Sequence, residues 1–217
     1  TAEGRENGSL EFTFGSHESD LHADVLRLVE TQFGVRGTLV PTADNSTKVL
    51  FYSAPLGRFF ARHCGTGSHG KHVPEFLWDL PRAYFDAYLI GYALGDGYVT
   101  KDGKLSVTSV SRQLIGELTW LCAMHGIKAG VRRMEMKAGR MLKNRPLPAT
   151  VAWNLIIGRT SHGFVRDRLH QQKHTVVRRV EVKPYDGYVY DLVGCENEAF
   201  FGGEKPLLLH NSRVRDL

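Results

Sequence analysis

Three consecutive residues near the end of the chain, His210-Asn211-Ser212, combine an imidazole, a carboxamide and a hydroxyl. The Asn211 side-chain nitrogen can attack its own main-chain carbonyl, which closes a succinimide and breaks the peptide bond to Ser212. Because an amide is a poor electrophile, this step needs oriented donors, and His210 can donate a proton there. The Ser212 hydroxyl is a nucleophile suited to acyl transfer. The three residues permit such self-directed peptide-bond chemistry, but the tripeptide alone does not predict it, because His-Asn-Ser also occurs in unrelated loops.

A second reactive group, the Asp96 carboxylate, follows an apolar stretch that suits a helix. Gly91 and Gly95 lie one helical turn apart within this stretch. Glycine inside a helix costs about 1 kcal/mol relative to alanine, so two glycines indicate close packing against a partner helix. We expect Asp96 at the end of this helix, where the two helices meet.

The elements that would position Asp96 form a repeat. Residues 8–65 and 103–158 share one order: a glycine turn, an alternating strand, a serine helix cap, an amphipathic helix, a glycine stop and two strands. The predicted caps are Ser16 and Ser111, and the stops are Gly34 and Gly126. The later strands are predicted at 37–41, 49–53, 130–136 and 150–157, with a further helix at 54–64. We predict a duplicated β-α-β-β unit and an α+β fold.

Positive charge is concentrated in the second copy. The net charge of +5 and the pI of about 9.2 permit nucleic-acid binding without proving it. Between residues 128 and 145 seven basic residues stand against one acid, Glu135. A solvated surface stretch is the alternative, but together with the repeat we favour contact with DNA phosphates. The seven residues are Lys128, Arg132, Arg133, Lys137, Arg140, Lys143 and Arg145.

The overall composition is that of an ordinary globular protein, with 42% hydrophobic and 24% charged residues. Cys64, Cys122 and Cys195 lie far apart and form neither a C-x-x-C pattern nor an even set, which favours a reducing compartment. No stretch approaches the roughly 18 apolar residues of a membrane span. We expect a cytoplasmic or otherwise intracellular protein without a membrane partner.

Residues 89–97, Leu-Ile-Gly-Tyr-Ala-Leu-Gly-Asp-Gly, resemble the LAGLIDADG motif of homing endonucleases. The resemblance implies that two such helices pack together and that each supplies one carboxylate, here Asp96, to the Mg²⁺ ions that cut double-stranded DNA. Mg²⁺ prefers such oxygen ligands. The segment Lys71-His72-Val73-Pro74 is similar to the family's block whose lysine assists catalysis. An ordinary loop lysine is the alternative for Lys71.

The repeat also places the counterpart of Asp96. The offset of 95 residues between the copies puts it at about residue 1, where no apolar helix is found. Glu3-Gly4 as the tail of a first motif is the alternative. We expect the first motif helix to be missing, so that this chain alone does not cleave DNA efficiently.

The C-terminal part resembles the last blocks of inteins, which are self-splicing proteins. The resemblance rests on strands predicted at 175–182 and 188–193, on Val189-Tyr190-Asp191-Leu192, and on the apolar strand that ends in His210-Asn211-Ser212. It implies that Asn211 cyclises, that Ser212 accepts the upstream acyl group, and that Asp191 helps to couple these steps.

One departure concerns the histidine that the intein family commonly has seven residues after this aspartate. Glu198 stands there, so either Glu198 substitutes for it or the reaction relies on His210. We interpret residues 1–160 as the endonuclease domain, 161–174 as a linker, 175–211 as the splicing segment and 212–217 as host (extein) sequence. The partner would be an N-terminal intein fragment carrying the N-extein, separated by a natural or engineered split.

The predicted function is therefore protein trans-splicing, which needs no cofactor, with an attached Mg²⁺-dependent endonuclease. Two alternatives stay open: a DNA-binding homing endonuclease whose splicing residues are vestigial, and a DNA-binding module with an inactive nuclease.

Overall fold

The computed structural model describes residues 2–5, 8–142, 145–158, 179–190, 192–195, 197 and 199–210; for 2–5, 142, 145 and 210 only the backbone is described. The helices are α1 (Ser19–Phe33), α2 (Ala54–Cys64), α3 (Arg82–Asp96) and α4 (Arg112–Met124), with a 3-10 turn at Glu75–Trp78. The strands are β1 (Ala2–Arg5), β2 (Ser9–Gly15), β3 (Thr38–Pro41), β4 (Ser46–Tyr52), β5 (Gly97–Val99), β6 (Leu105–Ser109), β7 (Ala129–Met136), β8 (Arg140–Leu142), β9 (Arg145–Leu147), β10 (Thr150–Ile157), β11 (Ala199–Gly202) and β12 (Leu207–His210). Across these segments, no helix has the length and apolar character to cross a membrane.

The first unit is an antiparallel sheet of order β1-β2-β4-β3, with α1 and α2 on one face. Its core forms where the alternating residues Leu10, Val49 and Phe51 meet the apolar stripes of the helices. The cap predicted at Ser16 is wrong, because α1 begins at Ser19. The chain between them turns differently, since the Glu18 carboxylate accepts a hydrogen bond from the Gly15 amide at 2.6 Å.

The second unit is an antiparallel sheet of order β5-β6-β10-β7, packed against α3 and α4. The predicted cap at Ser111 is confirmed, because its hydroxyl accepts a hydrogen bond from the Leu114 amide at 3.2 Å. The core of this unit includes Phe85 and Leu89 of α3 and six residues of the elements around them that are fully or almost fully buried. These are Val107, Leu114, Ile115, Leu118, Leu121 and Leu155.

The strand register confirms the duplicated strand order that the sequence predicts. Leu10 pairs with Phe51 in the first sheet, as Leu105 pairs with Ile157 in the second. The first members of these pairs are 95 residues apart, but the second members are 106 apart. The difference arises because the unpredicted hairpin β8–β9 is inserted between β7 and β10.

The short strand β1 agrees with the predicted offset of 95 residues and rules out the alternative for the first residues. Ala2 pairs with Phe12 as Gly97 pairs with Val107, so Ala2 is the counterpart of Gly97. The residue before it, Thr1, lies outside the described residues and occupies the position that corresponds to Asp96. The alternative that Glu3-Gly4 ends a first motif does not fit, because both lie within β1.

The C-terminal segment has less regular structure than predicted. Residues 179–182, 188–190 and 192–193 form no strand, so the predicted strands are wrong there; 175–178 and 191 lie outside the described residues. Alternating apolar residues make a strand only when another strand supplies hydrogen bonds, and none does so among the described residues. The apolar strand before Asn211 is confirmed as β12, which pairs with β11.

Candidate functional site

Asp96 is the last residue of α3, as predicted, and its side chain is exposed. Gly97 follows in extended backbone, and its amide donates to the Ala93 carbonyl. A Cβ atom at Gly97 would lie 2.7 Å from the Ala93 oxygen and 2.8 Å from its Cα. Only glycine therefore lets the helix turn directly into β5, and this turn fixes where the Asp96 carboxylate stands.

One side of α3 is buried and the other is an exposed apolar stripe. Phe85 and Leu89 are in the core. On the exposed side Ile90 is 39% and Leu94 59% accessible, and a Cβ at Gly91 would contact nothing within 4 Å. Along this exposed side, five residues have helical spacing, and we call them the α3 stripe: Ala83, Ala87, Ile90, Gly91 and Leu94. The partner helix that the glycines predicted is absent from the described part of the chain.

The side chain of Tyr92 lies close to Asp96. Burial, reinforced by the Asp96 charge, raises the pKa of Tyr92 well above its usual range, while a hydrogen bond with Ser109 opposes the shift. The phenol is therefore protonated at neutral pH. Within the described segments, no three His, Cys, Asp or Glu side chains come together as a metal site.

Lys71, the second predicted nuclease residue, is half-buried in the loop after α2. Its carbonyl accepts a hydrogen bond from the Ser111 hydroxyl at 2.5 Å. Two residues further along the same loop, the Val73 amide donates a hydrogen bond to Glu117 Oε2 at 2.7 Å. The cap residue of α4, Ser111, and a residue of its second turn, Glu117, therefore hold the backbone of this loop.

The junction between β6 and α4 contacts the loop that contains Lys71 and lies near Tyr92. The Ser109 hydroxyl accepts a hydrogen bond from the Ser111 amide at 3.1 Å, and the same hydroxyl opposes the raised pKa of Tyr92. The Ser111 hydroxyl in turn donates to the Lys71 carbonyl. Sequence reasoning named Ser111 only as a helix cap and did not single out Ser109, and the spacing Ser109-Val110-Ser111 gives no signal of the contact with Lys71.

The predicted DNA-contacting residues are distributed over both faces of the second sheet. Arg132 pairs with Asn154 and lies on the open face, away from the helices. Arg133 pairs with Trp153 on the helix-covered face and forms an ion pair with Glu135. Lys128, Lys137 and Arg140 are exposed; Lys143 lies outside the described residues, and only the backbone of Arg145 is described.

Equivalent positions on the two open faces carry different polar groups. In the first sheet Lys48 Nζ lies 2.7 Å from Glu11 Oε1 across β2 and β4. In the second sheet Asn154 Nδ2 donates to the hydroxyls of Ser106 and Thr108, both at 2.7 Å. One face therefore carries an ion pair where the other carries uncharged amide and hydroxyl groups, and in each case most of these polar atoms are buried: Glu11, Ser106 and Asn154 are all less than 9% exposed.

The predicted splicing residues lie at the edge of what the structure describes. His210 is the last residue of β12 and pairs with Ala199, and its side chain is not described. Asn211, Ser212, Asp191 and Glu198 lie outside the described residues, so their roles stay predictions.

Comparison with known proteins matches one region to a family and longer stretches to several large proteins. Residues 84–167, which include Asp96 and the basic stretch 128–145, match the family model of the LAGLIDADG-like domain. The chain is 27% identical over 192 residues to a DNA polymerase of Thermococcus sp. (strain GE8), covering 70% of this chain and 11% of that protein. It is 23% identical over 275 residues to a replication factor C small subunit of Methanocaldococcus jannaschii, covering 99% and 15%.

A third relative is an A-type ATP synthase component of Methanopyrus kandleri, 27% identical over 183 residues and covering 78% of this chain and 17% of that protein. The chain thus spans less than a fifth of each of these relatives. Among solved structures, it is similar to mesophilic variants of the homing endonuclease I-DmoI, with a TM-score of 0.49, 11% identity and coverage of 71% and 75% of the two chains. I-DmoI in complex with DNA and Ca gives a TM-score of 0.47 and 13% identity, with 72% of each chain covered.

Proposed function

We propose that this chain joins a LAGLIDADG-type unit that binds and helps to cleave double-stranded DNA to the C-terminal segment of a protein-splicing domain. The observation that carries the nuclease part is Asp96, an exposed carboxylate fixed by Gly97 beside the uncovered α3 stripe. The match of residues 84–167 to the LAGLIDADG-like domain supports this assignment.

DNA binding follows from the charge and shape of the second unit. Arg132 on the open face, together with exposed Lys137 and Arg140 beyond the end of β7, gives cationic groups that suit phosphates. The Asn154 amide lies on the same face but is buried, and it donates to the hydroxyls of Ser106 and Thr108, so the exposed cations are the groups that this face offers to DNA. We propose that this face lies along the DNA groove, with Arg133 excluded because it lies on the opposite face.

Cleavage needs a second carboxylate. Mg²⁺, which would stabilise the developing charge on the phosphate, fits oxygen ligands such as Asp96, but one side chain does not hold it for strand cleavage. The corresponding position, Thr1, has no carboxylate. We propose that a helix packed on the α3 stripe supplies the second carboxylate, and that Lys71 adds positive charge near the phosphate.

The test of the nuclease part uses binding and cutting as separate measurements. The 217-residue chain should bind duplex DNA in a salt-dependent manner without making double-strand breaks in Mg²⁺. A protein that also contains a first motif helix should cut, and Asp96→Asn should abolish cutting while leaving binding within about twofold. If the Asp96→Asn protein still cut DNA, Asp96 would not be part of the nuclease site.

Splicing is the second proposed activity, and two observations favour it. The apolar strand β12 ends at His210, and Asn211-Ser212 follow it directly in the sequence. The relatives that match 70% or more of this chain are a DNA polymerase, a replication factor component and an ATP synthase component, each much longer than the match. A segment shared by proteins of such different names is better explained as a self-removing insertion than as part of their own activities.

Groups of this chain account for every bond and proton in the proposed cyclisation step. Asn211 Nδ2 forms a bond to the Asn211 carbonyl carbon, and the bond from that carbon to the Ser212 nitrogen breaks. The Asn211 side chain gives up a proton, and His210 passes a proton to the leaving Ser212 amine. Before this step the Ser212 hydroxyl takes over the upstream acyl group, which an N-terminal splicing segment supplies, in the same or a separate polypeptide.

The described residues 179–190, 192 and 193 are consistent with such a partner, because their apolar side chains are exposed. Val182 and Tyr190 are each 92% exposed, and Val180, Tyr188 and Val189 are at least 77% exposed. Alternating apolar residues of this kind gain burial when another strand pairs with them. We propose that the N-terminal splicing segment provides that strand.

Mass spectrometry tests the splicing proposal. Mixed with an N-terminal splicing segment, the chain should release its residues after Asn211, and the remaining fragment should be one water lighter than simple hydrolysis gives. Asn211→Ala should retain the junction. Release with the mass of a hydrolysed asparagine would contradict cyclisation. If no release occurs while DNA is still bound, the alternative of a nuclease with vestigial splicing residues is favoured.

A further inference from the structure

The hairpin β11–β12 contacts α4 of the LAGLIDADG-like region at two points. The Phe201 ring lies against the Trp120 ring, with centroids 6.3 Å apart and planes at 72°. At the hairpin tip, Arg112 donates from Nε and Nη2 to Glu204 Oε1, at 3.2 and 2.6 Å. The hairpin that ends in His210 is therefore joined to a helix of the other region.

The α4 helix is packed into the core of the second unit, so the residues that contact the hairpin have fixed positions. Its inner side is buried at Leu114, Ile115, Leu118 and Leu121, and Ser111 caps its start. Arg112 and Trp120 are two helical turns apart, so they lie on one outer stripe. Gly116, which lies between them, adds no side chain there and borders an open groove of about 870 Å³.

The groove shows that the hairpin covers only part of this surface. Its lining includes all three tryptophans of the chain, Trp78, Trp120 and Trp153, together with Glu204 and Lys205 of the hairpin tip. The docked position of the hairpin consequently depends on the two contacts at the edge rather than on close packing along its length.

We infer that the outer stripe of α4 is the docking surface of the C-terminal hairpin, and that Arg112 and Trp120 are positioning residues for the reaction at Asn211. This inference rests on the proposed splicing function. The ends of the hairpin are close to the reaction, since Ala199 pairs with His210, the residue before Asn211. A hairpin that leaves α4 carries His210 and Asn211 with it, which lowers the fraction of molecules in the reactive geometry.

The experiment compares Arg112→Glu with the charge-swapped double variant Arg112→Glu/Glu204→Arg. The first opposes like charges at the hairpin tip, and the second restores an ion pair in reversed order. Arg36→Glu is the matched control, because Arg36 also forms an exposed ion pair, with Glu30, but on the first unit. Phe201→Ala tests the aromatic contact from the hairpin side, so that the core around Trp120 is not altered.

Two readouts are taken. Hydrogen exchange of the β11 and β12 amides in the 217-residue chain reports docking, and release after Asn211 in the presence of an N-terminal splicing segment reports the reaction. Arg112→Glu and Phe201→Ala should each raise exchange and slow release by roughly three- to tenfold, in proportion to one exposed ion pair or one aromatic contact. The charge-swapped variant should recover both readouts, and Arg36→Glu should change neither.

The possible results separate the positioning role from the splicing function on which it rests. Release at the unsubstituted rate in Arg112→Glu and Phe201→Ala overturns the positioning role and leaves splicing intact. Failure of the charge swap to restore the rate also overturns it. If the unsubstituted chain shows no release at all, both the splicing proposal and this inference fail together.

Discussion

Ser111 makes two hydrogen bonds that can be removed with one substitution. Its hydroxyl accepts from the Leu114 amide at 3.2 Å and donates to the Lys71 carbonyl at 2.5 Å, and the residue is 1% exposed. Loss of a helix cap costs about 1 kcal/mol. The Lys71 carbonyl, which is partly buried, would be left without its donor, at a further cost of about 1–3 kcal/mol. We therefore expect Ser111→Ala to lower the free energy of unfolding by about 2–4 kcal/mol.

Urea denaturation measures this change. With a slope of roughly 2 kcal/mol per molar urea, the midpoint should fall by about 1–2 M. Tryptophan fluorescence follows the second unit, because Trp78, Trp120 and Trp153 all lie there. Far-UV circular dichroism follows both units and detects any separate transition of the first.

Ser53→Ala is the matched control. Ser53 caps α2 by accepting from the Leu56 amide at 3.4 Å, and within the described residues no hydrogen bond to a distant loop like that of Ser111 accompanies this cap. This substitution should cost only the cap contribution, about 1 kcal/mol or less. Equal losses for the two variants would refute the reasoning, because the Lys71 carbonyl would then contribute nothing. A larger loss for Ser111→Ala, accompanied by weaker DNA cleavage in a cutting-competent protein, would support it.

Three further predictions concern single residues. Gly97→Ala should destabilise the chain by about 2 kcal/mol, since its Cβ meets the Ala93 backbone, and a urea midpoint unchanged from that of the parent would contradict this. Arg132→Ala should reduce the slope of log binding constant against log salt by about 1, measured by fluorescence anisotropy, whereas Arg27→Ala on α1 should leave the slope unaltered. Burial, and then the charge of Arg82, lower the pKa of His125. The unfolded chain then binds more protons below pH about 6.5, so stability should fall as pH drops below that value, and a flat midpoint between about pH 5 and 7 would argue against it.

The elements of the two units could be predicted where hydrophobic spacing and a local cap agree. The helix at 54–64 and the strand at 150–157 were found with the bounds that the sequence predicts, and Ser111 caps α4. Each of these depends on neighbours within a few residues. The cap predicted at Ser16 is wrong because a serine caps a helix only if the helix begins directly after it. Here two more residues lie between Ser16 and the first residue of α1.

Contacts between distant segments could not be predicted from spacing. Asp96 was placed correctly because its position depends on the helix and on Gly97. The position of Lys71 depends on Ser111, 40 residues away, and that of the hairpin tip on Arg112, 92 residues from Glu204. The alternating apolar residues from 179 to 193 predict a strand only if a partner strand is present, which no pattern within this segment can reveal.

The unequal open faces have a consequence for any DNA that spans both sheets. One half-site would lie over the Glu11–Lys48 ion pair, in which the Lys48 side chain is 35% exposed, while the other would lie over the half-buried Thr108 hydroxyl above the buried Asn154 amide. Groups that differ in charge and in donor pattern do not favour the same bases, even though the two strand frameworks share one order. A preferred sequence selected from a random library should therefore lack inverted-repeat symmetry, despite the internal symmetry of the protein that reads it.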